Sequence, residues 1–321
     1  MSLNAAAHGI AEQLVARAAA LGAEVLSTAG VRVVDCGVNA RGGIDAGILL
    51  ARVAMAGLGD VAVTPAGSRH VWQDGWPDCP WPVVEERSAA PVAACLAAQC
   101  AGWKVDTAGF HALASGPVRA AIGREPLYDR IGMRERPAVA VGVLETARVP
   151  PAEACLAIAA AAGVRPEALT LLVARTASPA GTIQVAARAL ETALHKLLDV
   201  GFDVSRVCAG WGRAPLPPVP GSDLTAIGRT NDAILYGSHV VLEVAGPEAD
   251  LAAVGPRAVS LASSSHGAPF RHIFDRAGRD FYAVDPAIFA PARLDLVSAE
   301  TGRLLGFGRL EPGLVERSFS A

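Results

Sequence analysis

Apolar and polar positions follow two rhythms along this chain. Residues 5–25 carry apolar side chains at three- and four-residue intervals and predict an amphipathic helix. The β-branched run 31–35 (VRVVD) predicts a strand, and 44–56 a helix with little polar surface. A short strand is expected at 60–64, an irregular Trp-, Pro- and Gly-rich loop at 65–82, and a helix at 89–101. Further on come a buried strand at 137–144, a helix at 150–162 stopped by Gly163, and a strand at 169–174. A long helix follows at 181–200, then a rigid connector at 215–221 (PLPPVPG), a helix at 224–235 and a strand at 239–244. Segments 293–297 and 303–308 flank a turn and predict a hairpin. This alternation predicts an α/β fold of the mixed-sheet α+β type. The Gly-, Arg- and Pro-rich stretch 123–137 divides it into two lobes, 1–136 and 137–321, with the option that the lobes interleave. No 20–50-residue period recurs, so a solenoid is excluded.

Composition narrows the class. Of the 321 residues, 52% are hydrophobic and only 5% aromatic, so the apolar mass is mainly Ala, Val and Leu. No run approaches the roughly 18 apolar residues of a spanning helix; the longest, 91–103 and 156–164, read as packed helices. No basic segment precedes an apolar run near Met1, so no secretory leader is expected. The net charge of −3 and the absence of a basic cluster argue against nucleic acid as a partner. The six cysteines form no C-x-x-C pair, which favours reduced thiols in the cytoplasm and no structural metal.

Common catalytic signatures are missing. Gly57, Gly59 and Ala62 make a loose G-x-G-x-x-A, but it closes a helix and opens a strand, the reverse of a dinucleotide site. There is no P-loop, no G-x-S-x-G and no H-E-x-x-H. The helix expected at 181–200 is more informative. At about 100° per residue, Gln184, Arg188, Glu191 and His195 share a stripe about 60° wide on an otherwise apolar helix. Arg188 and Glu191 are three apart and can meet. The alternative is a surface ion pair. A Thr-Ala-Ser-Pro loop, 176–179, links the strand at 169–174 to this helix, where ligands favour strand ends and helix starts.

Other segments have two readings. Asp35 to Asn39 ends a strand and is either a polar edge of a site or a turn capped by its own Asp. Ser115, Gly116, Pro117 and Arg119 form either an anion-binding helix start or a plain cap. Residues 229–232 read as a solvated helix face, and 285–291 as a structural double-Pro loop. His8, His70, His239 and His272 are isolated; His111 and His266 stay as weak candidates.

In order along the chain, DCGVN at 35–39, AGWKV at 101–105, SGPVRA at 115–120, LLVARTASPAGTIQ at 171–184, ARALETALHKLLDVGFDV at 187–204, GRTNDAILYG at 228–237 and DPAIFAPA at 285–292 resemble the methenyltetrahydromethanopterin cyclohydrolases. The form resembles the bacterial members more than the archaeal ones. The resemblance implies a cytoplasmic homotrimer that reversibly adds water to 5,10-methenyltetrahydromethanopterin to give the 5-formyl compound. It implies no metal or redox cofactor, and a pterin cleft between two α/β lobes. It places the reacting Arg and Glu at Arg188 and Glu191, with Glu191 as general base and Arg188 orienting it. The pterin walls then fall on Ser115, Gly116, Pro117, Arg119, Thr176, Ser178, Thr182 and Gln184, with Asp35 and Asn39 as polar edges. The chain departs from the family pattern at Arg175, at Gly210-Trp211-Gly212-Arg213, and at Ser238 and His239. Three rivals are a pterin carrier without activity, a thiol enzyme using Cys36, and a nicotinamide-dependent dehydrogenase. The last fails on the glycine context above.

Overall fold

The computed structural model describes residues 2–67, 76, 79–107 and 109–320. Most of the loop expected at 65–82, with Trp72 and His70, lies outside these residues. The chain builds two compact units: Met1–Asp60 with Val92–Gln184, and Val61–Pro91 with Val185–Ala321. The division expected at 136/137 is not where the chain separates. Strands on either side of that point pair within one sheet, from Leu113↔Glu145 to Ser115↔Val143, so the stretch 123–137 is a connection inside the first unit.

Among the described residues the strands are β1 (Glu24–Thr28), β2 (Val31–Asp35), β3 (Gly59–Thr64), β4 (Val83–Ser88), β5 (Trp103–Thr107), β6 (Phe110–Ser115), β7 (Ala140–Glu145), β8 (Leu169–Ala174), β9 (Val207–Pro215), β10 (His239–Val244), β11 (Arg293–Ser298) and β12 (Leu304–Gly308). They make two six-stranded mixed sheets, β1-β2-β8-β7-β6-β5 and β12-β11-β10-β9-β4-β3. The mixed α/β class is therefore the one the pattern predicts.

In the first unit β2, β8 and β7 run parallel, flanked by antiparallel hairpin strands. Alternate residues of these strands serve opposite cores. Val34, Val141, Val143 and Leu172 pack with Leu14, Leu50 and Val53 on one face. Val33, Leu144, Leu171 and Val173 pack with Ile158 and Ala159 on the other. With both faces covered, β8 is buried at every position. The helix expected at 5–25 stops at Ala16. Residues 24–28 turn back through Ala29 (φ 51°) and Gly30 (φ 85°) to form the β1–β2 hairpin. Two successive left-handed residues match the twist of a tight hairpin, and that local geometry overrides the helical spacing upstream. The helix expected at 89–101 is a π-helix over Val92–Gln99.

In the second unit the helices Ala189–Asp199 and Asp223–Leu235 lie against β9. Tyr236, Phe270, Phe274 and Phe319 build the core outside them. The face expected to be solvated at 229–232 is instead half inward: Thr230 and Asp232 are buried. Asp232 Oδ1 accepts the backbone N–H of Phe270 at 2.7 Å. Burial pushes its carboxyl up to about 7, against the lowering effect of the Ser318 hydroxyl and the Phe270 N–H. The folded state thus binds this proton more tightly than the unfolded chain, and Asp232 erodes stability as pH rises from about 4 to about 7. Asp232→Asn keeps the acceptor for Phe270 and removes the charge. Its stability advantage over wild type is expected to be absent at pH 4, to grow to pH 7 and to level off, read from urea midpoints across that range. A constant difference would refute the assignment.

Candidate active site

The segment expected as one helix at 181–200 is two, Pro179–Ala186 and Ala189–Asp199. Arg188 breaks it: its backbone lies at φ −126°, ψ 13°, and it becomes the N-cap of the second helix. Its carbonyl accepts both the N–H (2.9 Å) and the hydroxyl (2.8 Å) of Thr192. Glu191 falls in the first turn, three residues past the cap. A helix start favours a carboxylate there. Gln184 thus belongs to the preceding helix and shares no continuous stripe with Glu191 and His195. Arg188 is 6% and Glu191 9% exposed, so they do not form the solvent-facing pair that was the alternative. His195 lies one turn on, with Nδ1 3.4 Å from Asp199 Oδ2. The Asp199 bond raises its pKa, burial opposes this, and the Glu191 charge adds to the rise.

The seating of this helix comes from a residue that spacing alone did not reveal. The N–H of Leu190 donates to Glu86 Oε1 of β4 at 2.6 Å. Glu86 is 3% exposed. Its partner on β9 is Gly212, and a Cβ there would lie 2.8 Å from Glu86 Oε1 and 2.9 Å from Leu190 N. A Cβ on Gly210 would lie 2.5 Å from Leu190 Cδ1. Glycines at both positions let the helix start sit directly on the strand. Trp211 between them alternates to the other face and is exposed, so its bulk does not disturb this contact. Arg213 is opposite His239 in the neighbouring strand.

In the first unit, the loops after β2 and β8 meet at the carboxyl ends of parallel strands, the usual ligand edge of such sheets. The N–H of Arg175 donates to Gly37 O at 3.4 Å, a bond that a Pro at 175 would lack. The Thr176 hydroxyl bonds Glu145 at the end of β7. Ser178 donates to Arg175 O at 2.8 Å and accepts from Gly181 N–H, while Thr182 donates to Thr176 O at 2.9 Å. Gln184 is buried and Asn39 exposed. Thr176, Ser178, Thr182 and Asn39 are therefore brought to one strand-end edge. Ser115 is not: it ends β6 paired with Val143 in the middle of β7, and Gly116, at φ +87°, runs beside Gly142. Pro117 O accepts from Asn4 Nδ2 at 2.8 Å.

Two of the expected substrate contacts have their polar groups engaged within the fold. The Asp35 carboxylate is fully turned into its own loop, accepting the N–H groups of Gly37, Val38, Asn39 and Ala40 at 2.6–3.1 Å. It is the capped-turn reading that holds. Arg119 is consumed by structure. It forks onto Glu125 (2.9 and 2.6 Å) and donates to the carbonyls of Leu96 and Ala98 at the end of the π-helix. Its guanidinium also lies 5.5 Å from the Tyr128 ring centre. Burial, and secondarily the Asp35 charge, push the Cys36 thiol up to about 12, so it is no activated nucleophile.

The remaining candidates are structural. His239 Nε2 pairs with Asp295 at 2.8 Å, and Ser238 donates to Ile234 O at 2.7 Å. His111 lies on an exposed hairpin 3.0 Å from Asp106, and His266 stacks edge-on against Tyr236. Lys196 fastens the helix to Pro286 O in the double-Pro loop. Among the described residues no three His, Cys, Asp or Glu side chains are disposed to hold a metal ion, and no helix is long and apolar enough to cross a membrane.

Residues 2–319 match the family model described as Cyclohydrolase (MCH). The chain is 45% identical over 325 residues to the methenyltetrahydromethanopterin cyclohydrolase of Methylobacterium sp. (strain 4-46), covering 99% of this chain and 98% of that protein. It is 38% identical to the enzyme of that name from Methylobacillus flagellatus, covering 99% and 95%. The archaeal counterpart from Methanosarcina barkeri is 35% identical, covering 99% and 98%. With a family match over nearly its whole length and such relatives, the chain belongs to the cyclohydrolase (MCH) family.

Proposed function

We propose that the chain catalyses the reversible hydrolysis of 5,10-methenyltetrahydromethanopterin to the 5-formyl compound, in one-carbon metabolism. The observation that carries the mechanism is the buried Arg188 and Glu191 at the start of one helix. The substrate's methenyl carbon is a resonance-stabilised amidinium cation. Water attacks it, a C–O bond forms, and the proton lost from water passes to Glu191. The tetrahedral adduct then collapses. Its bond to N10 breaks and the proton held by Glu191 goes to that nitrogen. The adduct's O–H proton is released to solvent as the C=O forms, so the formyl group stays on N5 and one proton is given up overall. Positioned general-base catalysis of this kind is worth roughly 10²–10⁴-fold. Glu191 also counters the substrate's positive charge. Arg188 orients the carboxylate and donates hydrogen bonds to the developing formyl oxygen.

Electrons balance without a redox partner, and the substrate is already cationic at the reacting carbon, so neither a redox group nor a Lewis acid is required. For the pterin we retain Asn39, Thr176, Ser178 and Thr182 at the strand-end edge. Gln184, Ser115, Gly116 and Pro117 are retained on the resemblance. Asp35 and Arg119 are dropped. The assembly we infer from the resemblance is a homotrimer.

The test is optical. Added protein is expected to bleach the methenyl chromophore of methenyltetrahydromethanopterin far above the uncatalysed rate, with the folate analogue turned over more slowly. Tight binding of the pterin without bleaching would mark a carrier and overturn the proposal.

A further inference from the structure

We propose that Glu86 is a positioning residue for Arg188 and Glu191: its buried carboxylate on β4 fixes the start of the helix that carries both. This rests on the assignment of those two residues above. A helix start needs acceptors for its first N–H groups, and the side chain of the N-cap residue ordinarily supplies one. Here the N-cap is Arg188, and a guanidinium has no acceptor to give. In an unbroken helix the Leu190 N–H would bond the carbonyl of Ala186. With the break at 187–188 it turns to Glu86 Oε1 instead, 104 residues away in sequence. The cap that position 188 gives up by being Arg is therefore delivered from another strand.

Three features indicate that the placement is specific. Glu86 is 3% exposed, and a buried carboxylate is costly unless it meets donors. Leu190 lies between Arg188 and Glu191, so holding its N–H holds the backbone on both sides. Gly210 and Gly212 keep clear the ground on which the contact is made, since a Cβ on either would strike Leu190 or Glu86. A general base has to lie within about 3 Å of the water it deprotonates. Misplacement by about 1 Å can cost 10²-fold.

Three variants separate the hydrogen bond from the charge. Glu86→Gln keeps an oxygen at the same reach, Glu86→Asp keeps the charge but is one methylene short, and Glu86→Ala removes both. Each is assayed for bleaching of the methenyl chromophore and for hydrogen exchange at the Leu190 amide. Glu86→Asp and Glu86→Ala are expected to lower kcat about 10–100-fold, with KM within about threefold and faster exchange at Leu190. Glu86→Gln is expected to recover most of the kcat and the protection. Wild-type kcat in Glu86→Asp, or in folded Glu86→Ala, would overturn the proposal. So would a Glu86→Gln as slow as Glu86→Asp, since the charge would then be the operative feature. Should Glu86→Ala fail to fold, the Asp and Gln variants still decide. Glu191→Gln in the same assay tests the base by itself, whereas exchange at Leu190 tests the cap whichever residue is the base.

Discussion

Glu191→Gln is expected to reduce kcat for hydration of the methenyl substrate by about 10²–10⁴-fold while leaving the fold intact. The amide is nearly isosteric with the carboxylate and can still occupy the first turn of the helix Ala189–Asp199. It cannot take the proton from the attacking water. Because Glu191 also opposes the cationic substrate, KM should rise as well, but by less than kcat falls. Stopped-flow bleaching at saturating substrate separates the two. A variant with near-wild-type kcat would remove Glu191 from its role as base.

The second large effect is on stability. Arg119→Ala is expected to cost about 3–5 kcal/mol, the range for removing one member of a buried ion pair. Its side chain is fully enclosed. The loss would strip Glu125 of its fork and leave the carbonyls of Leu96 and Ala98 without their donor. Since these groups secure the end of the π-helix, the damage should spread along Val92–Gln99. Denaturant midpoints measure the cost. In whatever fraction folds, KM for the pterin should be unchanged. A stable Arg119→Ala with a tenfold higher KM would return Arg119 to the substrate site.

The contrast between these two residues shows what spacing in a sequence conveys. β8 was legible because a strand buried on both faces reads as a β-branched or aliphatic run without interruption, and β2 and β10 because each carries a short Val-rich run. Gly163 marked a helix end because it takes the left-handed conformation there, at φ +69°. β9 was not legible as a strand. Gly210 and Gly212 weaken strand propensity, yet they are required where the helix start touches the sheet. The break at Ala187–Arg188 was equally hidden, since both residues are ordinary helix formers. What ends the helix there is accompanied by a carboxylate on a distant strand. Arg188 and Glu191 could be singled out because they are near in sequence. Arg119 and Asp35 looked alike as candidates, and only their buried partners show that their polar groups are spent on the protein itself.

The interleaving of the two units bears on how the protein is made. Synthesis runs from the amino terminus, so β3 and β4 leave the ribosome long before β9, the strand on which β4 pairs. The first unit, likewise, lacks its central strand β8 until residue 174 has emerged, and is complete only at residue 184. Neither unit can finish as a contiguous early product, and Glu86 waits through about a hundred residues of translation for the amide it caps. A nascent chain halted between β4 and β9 would present the bare pairing edge of β4. Nearly complete synthesis is thus a precondition for completing the second unit, and the helix start that carries Arg188 and Glu191 gains its cap only after chain segments far apart in sequence have both emerged.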